Sequence, residues 1–326
     1  MAETFKWCFV GTGTLANIVA KEILKSGRHE IVSVYTRRIE KAKEFTAQYG
    51  GTPFDNIDEA INAPGVQGVY VVTPHNAHYQ YVKRAIELGK PVLCEKSFTT
   101  DAGQAKELFR LAEEKQVYVT EAMWTWFSPV ANQVKKWLDD GEFGEIKELR
   151  ANYHMDVRKY APRLTDPKLA GGALLDSGVY PVTYLYRLFG KPETVSCEGV
   201  LENGVDMEEN ILFTFANGFQ CCASVSIRDF KGLEQIRIVG SKAKLRLFWF
   251  HSTNKAKLRR VRGKNVSVSG STSYTNEFDL VADEIRAGLT ESRFVPHRAT
   301  ADVMEIMDEC RRQMGLVYPF EAEKAQ

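Results

Sequence analysis

The 326-residue chain has no pair of cysteines at C-x-x-C spacing, and its six cysteines lie mostly in apolar runs typical of buried strands. No apolar run approaches the ~20 residues that a membrane-spanning helix needs. No signal-peptide pattern precedes the first apolar run, and His, Cys, Asp and Glu form no cluster at metal-ligand spacing. These absences argue against a disulfide scaffold, a membrane protein and a metalloprotein. They predict a cytoplasmic protein with no bound metal.

An excess of charge of one sign is also missing, because 43 Lys and Arg stand against 42 Asp and Glu, a formal net charge of +1. This balance gives no general attraction to nucleic acid or to an anionic membrane surface. The one basic cluster, residues 255–264, is interpreted as a solvated hairpin. With 44% hydrophobic and 26% charged residues over a length typical of two domains, we expect a globular protein with a small-molecule substrate.

The first motif follows the first apolar run directly. Residues 6–10 are a short apolar segment typical of a buried parallel strand, and a G-x-G-x-x-A pattern occupies residues 11–16. In such a pattern the first glycine permits a tight turn, the second lets the backbone approach a pyrophosphate, and the alanine keeps the following helix close to the strand. The helix N-terminus then offers free N–H groups to the phosphates. The predicted cofactor contacts of this turn are Gly11, Thr12, Gly13, Thr14, Leu15 and Ala16.

The end of the second predicted strand, residues 30–35, lacks the Asp or Glu with which an NAD-selective protein usually binds the ribose 2′-hydroxyl. Thr36, Arg37 and Arg38 stand there instead. A guanidinium group binds phosphate through a planar, permanently charged fork, which suits the 2′-phosphate of NADP. The sequence therefore favours NADP as the cofactor and leaves NAD open, and solvated surface charge is the alternative interpretation of the two arginines.

Polar residues also follow the next two predicted strands, residues 68–72 and 91–94. Open α/β sheets bind ligands at the carboxyl ends of their strands, so these residues are predicted to contact the cofactor. Two alternatives stay open, because His78 could simply cap the next helix and Lys96 could be an ordinary solvated lysine. The predicted contacts are Thr73, Pro74, His75, His78, Glu95 and Lys96.

Residues 121–129 are rich in aromatic side chains, and the alternation of predicted strands and helices ends there. We place the domain junction here, with a cofactor-binding domain over residues 1–122 and a substrate-binding and oligomerisation domain over residues 123–326. Aromatic residues at a junction are most often core packing, but they also line ligand pockets. A polar stretch after the strand predicted at residues 146–153 is interpreted as a loop. The predicted substrate contacts are Trp124, Trp126, Phe127, His154 and Arg158.

The second motif occupies residues 171–181, with the sequence Gly-Gly-Ala-Leu-Leu-Asp-Ser-Gly-Val-Tyr-Pro. Asp176 and Tyr180 are four residues apart and would share one face of a helical turn, although Pro181 restricts the backbone of Tyr180. Alternatively, Asp176 is a helix cap and Tyr180 a packed aromatic. The pair alone does not decide between these interpretations.

Five strands in succession are predicted between residues 194 and 250, with Asn217-Gly218 as a hairpin turn. Consecutive strands imply a mostly antiparallel sheet with one covered face, whose outer face is an expected oligomer surface. The predicted fold class is therefore α/β. It combines an N-terminal Rossmann domain, built on a doubly wound parallel sheet, with a C-terminal α/β domain that has a large, mostly antiparallel open sheet.

The G-x-G-x-x-A turn, the Glu95-Lys96 pair and residues 171–180 together resemble the glucose-fructose oxidoreductase and inositol dehydrogenase (Gfo/Idh/MocA) family, over almost the whole chain. The resemblance is strongest to the dimeric dihydrodiol dehydrogenases, which oxidise trans-dihydrodiols of arenes and some pentoses with NADP. It rests there on residues 93–96, 121–125 and 171–176 and on the terminus that contains Pro319. The resemblance implies dimerisation through the open sheet, and hence a homodimer or a higher homo-oligomer.

The resemblance also implies that Lys96, Asp176 and Tyr180 form the catalytic group. Two departures from the family pattern stand out, because Ser97 replaces the proline after the lysine and Tyr180 replaces the usual histidine. A phenol beside an ammonium group loses its proton more easily, so Tyr180 would accept the hydroxyl proton while hydride leaves for the nicotinamide. Asp176 would orient the substrate hydroxyl or Lys96.

The expected function is that of an NADP-dependent oxidoreductase that transfers hydride between the nicotinamide and a hydroxyl or carbonyl carbon of a sugar, a polyol or a cyclic trans-diol. The alternative is a cofactor-sensing regulator with the same fold and no turnover. Retention of the three catalytic residue types argues for the enzyme.

Overall fold

The computed structural model describes residues 3–157 and 160–322. They form two compact units, the first built from residues 3–99, 103–124 and 273–300, and the second from residues 100–102, 125–157, 160–272 and 301–322. This differs from the predicted division, which placed everything after residue 122 in the second domain. Residues 273–300 return to the first unit because Phe278 packs there, with ring centroids 4.9 Å from those of Trp7 and Tyr70. Sequence periodicity gives a helix its apolar face but does not say which core that face joins.

The first unit contains a six-stranded sheet in the order β3-β2-β1-β4-β5-β6, with every pair parallel. Its central strands are buried along nearly their whole length, as expected for a parallel sheet covered by helices on both faces. This confirms the predicted Rossmann domain. The strands are β1 (Phe5–Val10), β2 (His29–Tyr35), β3 (Thr52–Phe54), β4 (Gly68–Val71), β5 (Val92–Glu95) and β6 (Val119–Ala122).

Helices numbered in chain order alternate with these strands, and one further helix comes from the returning segment. They are α1 (Thr14–Ile23), α2 (Ile39–Tyr49), α3 (Ile57–Ile61), α4 (His78–Glu87), α5 (Ala102–Lys115) and α8 (Tyr274–Arg286). Short 3₁₀ turns in this unit or at its end are Leu24–Ser26, His75–Ala77 and Trp124–Phe127.

The second unit contains an eight-stranded sheet in the order β14-β13-β12-β11-β7-β10-β9-β8. Only the pair β7 and β10 is parallel, which confirms the predicted, mostly antiparallel sheet. The hairpin between β9 and β10 turns at Asn217 and Gly218, where Gly218 has a φ of +78°. The strands are β7 (Ile146–His154), β8 (Thr194–Glu202), β9 (Val205–Thr214), β10 (Gln220–Ser226), β11 (Glu234–Gly240), β12 (Ala243–Phe248), β13 (Lys255–Arg260) and β14 (Val266–Ser269).

Alternating burial along the strands shows that one face of this sheet is covered and the other exposed; Leu149, Ala151 and Tyr153 of β7, for example, lie on the buried face. The helices of this unit are α6 (Pro129–Asp139), α7 (Val179–Phe189), α9 (His297–Met314) and α10 (Pro319–Ala322), with 3₁₀ turns at Pro162–Thr165 and Pro167–Leu169. A π-helical turn, Leu174–Gly178, leads directly into α7. Across residues 3–157 and 160–322, no helix is both long enough and apolar enough to cross a membrane.

Candidate active site

The glycine-rich turn connects β1 to α1 with the geometry that a dinucleotide requires. Gly11 has a φ of +114°, and a Cβ at this position would lie 2.6 Å from the Val72 carbonyl oxygen, so only glycine fits. A Cβ at Gly13 would meet open space, which leaves room for a phosphate to approach the backbone. Among the described residues no side chain caps α1 at Gly13 or adds an acid to its first turn. The N–H groups of this helix end therefore suit an anionic ligand.

Two exposed arginines follow β2, at the place where the ribose of a dinucleotide is expected. Arg37 and Arg38 are both solvent-exposed, and no ion pair of the described residues includes either of them. Two unpaired guanidinium groups keep their hydrogen-bonding capacity for a ligand phosphate. Their placement therefore agrees with the sequence-based preference for a 2′-phosphate.

The histidines after β4 are buried rather than exposed. His78 is fully buried, its Nδ1 lies 2.9 Å from the Ser97 carbonyl oxygen and its Nε2 2.8 Å from the Thr73 carbonyl oxygen. His75 is buried beside it, with ring centroids 5.8 Å apart. Since both nitrogens of His78 contact main-chain oxygens, its position favours a structural role that ties two ligand-edge loops together. The predicted direct contact of His78 with a cofactor has no support from this arrangement.

The predicted Lys96 is half-buried at the end of β5, and acidic residues lie beneath its loop. Glu95 is buried and its Oε1 accepts a hydrogen bond of 2.6 Å from the Tyr70 hydroxyl, so its carboxylate belongs to the interior of the unit and not to a ligand surface. Glu121 of β6 accepts from the Phe98 amide at 3.1 Å. The Lys96–Ser97 peptide bond is cis. Glu121 thus holds the loop that carries Lys96, a role that sequence analysis missed.

The pKa values of two buried acidic residues, Glu121 and Glu277, are raised by their surroundings. Burial raises the pKa of Glu121 to about 7, although hydrogen bonds from Thr300 and Phe98 and the charge of Lys96 oppose this effect. Burial, and then the nearby Glu95 and Glu121, raise the pKa of Glu277 well above its usual range. Neither carboxyl oxygen of Glu277 has a hydrogen-bond partner among the described residues, so its environment favours the neutral form.

In the second unit, Asp176 and Tyr180 lie in a segment whose other residues are buried. Between Gly171 and Leu185, every residue is buried except Asp176 and Tyr180. The turn before α7 is π-helical, and such wide turns are frequent at functional sites. The Asp176 carboxylate accepts a hydrogen bond of 2.7 Å from Arg163. A segment that buries thirteen of its fifteen side chains therefore presents a carboxylate and a phenol to solvent.

Buried groups hold the start of this motif in place. Asp206 of β9 accepts a hydrogen bond of 2.5 Å from the Leu174 amide, and the Tyr318 hydroxyl donates to the Gly171 carbonyl at 2.7 Å. Gly172 has a φ of +120°, and a Cβ there would lie 2.0 Å from an Asp206 carboxylate oxygen. The two glycines of the motif are therefore required by the backbone and by the carboxylate that packs on it.

The ring of Tyr180 has neighbours that sequence analysis did not identify. Tyr153 of β7 stacks on it with a centroid distance of 5.5 Å and an interplanar angle of 11°. The imidazole of His251 lies 5.3 Å from it, and His251 Nδ1 is 2.7 Å from Glu234 Oε1. The predicted strand through residue 153 was the one feature of the sequence that could have indicated the contact with Tyr153. Nothing in the sequence links residues 234 and 251 to residue 180.

The three predicted aromatic substrate contacts have different positions. Trp126 and Phe127 are buried, and the Arg187 guanidinium lies 5.1 Å from the centre of the Trp126 ring, so the prediction that these two side chains bind substrate is contradicted by core packing. Trp124 is half-exposed and stacks on Tyr274 at 4.7 Å within the first unit. Trp124 is therefore the aromatic residue of this segment that stays a substrate-contact candidate.

His154 lies on the face of the sheet opposite to Tyr180, because Tyr153 faces Tyr180 and successive strand residues alternate. Its Nδ1 is 3.1 Å from Asp229 and its Nε2 is 2.9 Å from the Ser224 hydroxyl. Ser224 pairs with strands on both sides, so its amide belongs to the sheet ladder and does not form an oxyanion site. The predicted substrate contact of His154 has no support from this arrangement, in which His154 ties the loop of Asp229 to the sheet.

Arg158, the last predicted substrate contact, lies outside the described residues. In the described ranges, His, Cys, Asp and Glu form no group of three that could hold a metal ion.

Comparison with family models places this site in a known context. Residues 5–123 match the model described as "Oxidoreductase family, NAD-binding Rossmann fold", and residues 131–246 match the GFO/IDH/MocA C-terminal domain. A trans-1,2-dihydrobenzene-1,2-diol dehydrogenase from Mus musculus is 30% identical over 96% of this chain and 98% of its own length. A D-xylose 1-dehydrogenase (NADP(+)) from Hypocrea jecorina is 30% identical over 97% and 93%.

Solved structures show the same fold. A 3-ketoreductase from Actinomadura kijaniata in complex with NADP and TDP-benzene superimposes with a TM-score of 0.84 at 23% identity, covering 96% of this chain and 98% of that one. An aldose-aldose oxidoreductase from Caulobacter crescentus, complexed with glycerol, gives a TM-score of 0.85 at 17% identity and covers 99% of both chains.

Proposed function

The chain belongs to the GFO/IDH/MocA family of oxidoreductases and is an NAD(P)-dependent dehydrogenase; from this premise we propose that it transfers hydride between NADP and a hydroxyl or carbonyl carbon of a sugar, a polyol or a cyclic trans-diol. The substrate class is supported by the relatives, which are named for a trans-dihydrodiol and for D-xylose. The preference for NADP is supported by the exposed, unpaired Arg37 and Arg38 after β2 and by the NADP named in the xylose dehydrogenase.

The observation that carries the chemistry is the selective exposure of Asp176 and Tyr180 in a buried segment. A phenol is both a proton donor and a proton acceptor, and the oxidation of an alcohol requires removal of the hydroxyl proton. Tyr180 is proposed as the group that accepts this proton during oxidation and returns it during reduction. Asp176, whose carboxylate accepts a hydrogen bond from Arg163, is proposed to accept one from the substrate hydroxyl as well and so to orient it.

Lys96 completes the proposed catalytic group. A lysine ammonium group polarises a substrate carbonyl in the reverse direction, which is the role proposed for Lys96. When bound, NADP supplies the nicotinamide carbon that accepts or returns the hydride. The open space at Gly13 and the uncapped end of α1 fit the pyrophosphate of such a cofactor.

The test begins with a screen of aldoses, polyols and trans-dihydrodiols for NADP reduction, and continues with Tyr180→Phe. This change should lower kcat by ~10²–10⁴-fold and leave NADPH affinity nearly intact, because the phenol acts in proton transfer and not in cofactor binding. Tyr184→Phe is a matched control, since the Tyr184 hydroxyl is buried on the same helix and has no hydrogen-bond partner among the described residues. Full activity of Tyr180→Phe, or equal losses in both variants, would remove Tyr180 from the mechanism.

A further inference from the structure

Two residues outside the proposed catalytic group form a unit beside Tyr180. Glu234 opens β11 directly opposite Tyr153 of β7, and Tyr153 is the residue that stacks on Tyr180. His251 follows β12, and its imidazole contacts both tyrosine rings, with centroid distances of 5.3 Å to Tyr180 and 5.5 Å to Tyr153. The phenol that the mechanism requires is therefore packed between a tyrosine and an imidazole.

Glu234 and His251 are joined by two hydrogen bonds to one carboxylate oxygen. The main-chain N–H of His251 donates to Glu234 Oε1 at 2.9 Å, and Nδ1 lies 2.7 Å from the same atom. The side chain of Glu234 is 1% exposed, whereas that of His251 is 20% exposed. The second carboxylate oxygen, Oε2, has no partner among the described residues. Burying a carboxylate is expensive unless it is paired, so His251 is the group that compensates the charge of Glu234.

This arrangement fixes the state of the imidazole as well as its place. A carboxylate oxygen at Nδ1 places the hydrogen on that nitrogen and sets the orientation of the ring. Orienting carboxylates of this kind recur beside catalytic imidazoles. Here the imidazole faces a phenol and not a substrate, so its effect on the reaction must act through Tyr180.

We propose that Glu234 and His251 are positioning residues for Tyr180, and this inference rests on the function proposed above. Contact with His251 holds the phenol ring against Tyr153. Glu234 holds the imidazole of His251 in that place, so the phenol ring keeps one orientation toward the substrate.

Other titratable side chains also lie near this unit. Tyr153 approaches from β7, and Tyr184 packs on Phe250, one residue before His251, with centroids 5.6 Å apart. Asp176, on the turn before α7, is paired with Arg163.

The experiment uses two changes that preserve shape. Glu234→Gln keeps the size of the side chain and removes the charge, and His251→Phe keeps an aromatic ring and removes both nitrogens. Each should lower kcat at least about tenfold, with NADPH affinity unchanged, because the phenol loses the contact that orients its ring. His251→Phe should also move the pH profile of kcat/KM toward higher pH, because an apolar ring replaces a polar imidazole beside the phenol. In a Tyr180→Phe background, neither change should lower kcat further, because the residues act as one unit. Glu148→Gln, on the exposed face of the same sheet, is the control.

Ultraviolet difference titration of phenolate absorbance, with Tyr180→Phe as the reference, follows Tyr180 without any substrate. His251→Phe should form the Tyr180 phenolate at higher pH than the unaltered protein, because an apolar ring solvates the phenolate less well than the imidazole does. A titration that does not move, wild-type kcat in His251→Phe, or additive losses in the Tyr180→Phe background would overturn the proposal. If the unaltered protein turns over none of the screened alcohols, the proposed function fails, and the titration still decides whether the pair acts on Tyr180.

Discussion

The buried Glu121 carboxyl group gives a stability prediction whose size follows from its surroundings. Its Oε1 accepts a hydrogen bond from the Phe98 amide, and its Oε2 accepts one of 2.9 Å from the Thr300 hydroxyl. Burial raises the pKa of Glu121 from 4.5 to about 7 in the folded protein, against the effect of these two bonds. The perturbation is Glu121→Gln, because glutamine retains an acceptor for Phe98 and does not titrate.

The sign of the effect follows from proton binding. Between pH 4.5 and about 7 the folded protein holds a proton on Glu121 that the unfolded chain has lost, so stability falls as the pH rises through this interval. A pKa difference of this size between the folded and the unfolded protein changes the free energy of unfolding by about 3 kcal/mol. This is an upper value, because loops relax around a buried charge. The stabilisation is complete below the unfolded pKa and is lost above the folded pKa.

The assay is urea unfolding of the unaltered protein and of Glu121→Gln, at about pH 5 and about pH 8. Other buried acids, such as Glu277, titrate in both proteins, and the difference between the two pH dependences reports Glu121 together with the effect of its charge on Glu277. We expect the unaltered protein to lose about 3 kcal/mol more than the variant over this range. Glu44→Gln, an exposed residue of the same unit, should leave the dependence unchanged. Parallel curves for the unaltered protein and Glu121→Gln would refute the reasoning.

Two further predictions concern the cofactor and the assembly. Replacing Arg37 and Arg38 with Ala should weaken NADP binding more than tenfold and NAD binding far less, since each charge-assisted contact contributes ~1.5–3 kcal/mol; equal fluorescence titrations of the unaltered protein with both cofactors would contradict this. Light scattering should give at least about twice 36.8 kDa, and Leu212→Lys on the exposed sheet face should reduce that mass. A single-chain mass at micromolar concentration would count against assembly through the sheet.

The parts of the fold that sequence predicted well are those set by local patterns. The turn at Gly11 is determined by residues that are adjacent in the chain, and the structure confirms both the strand before it and the helix after it. The turn at Asn217 and Gly218 is equally local, since it depends on the left-handed φ of Gly218. Consecutive strands after Thr194 sufficed to predict an antiparallel sheet.

Predictions failed where a residue's role depends on which face of an element is covered. Alternation along β7 makes Tyr153 and His154 point in opposite directions, but the sequence does not say which of them joins the motif at Tyr180. The polar His154 was the natural choice, and the aromatic Tyr153 is the true neighbour. The burial of Trp126 has the same cause, because a helical turn distributes adjacent aromatics over different environments.

The motif at residues 171–181 contains two kinds of residue that the sequence alone does not distinguish. Gly172 is required because the Asp206 carboxylate occupies the space of its missing side chain, and that carboxylate in turn holds the Leu174 amide at the start of the turn. These residues set the backbone, and only Asp176 and Tyr180 face solvent. The motif is long because buried contacts, such as those at Gly172 and Leu174, fix the backbone that carries Asp176 and Tyr180. The proposed chemistry belongs to Asp176 and Tyr180, and the pattern that resembles the family belongs largely to the other residues of the motif.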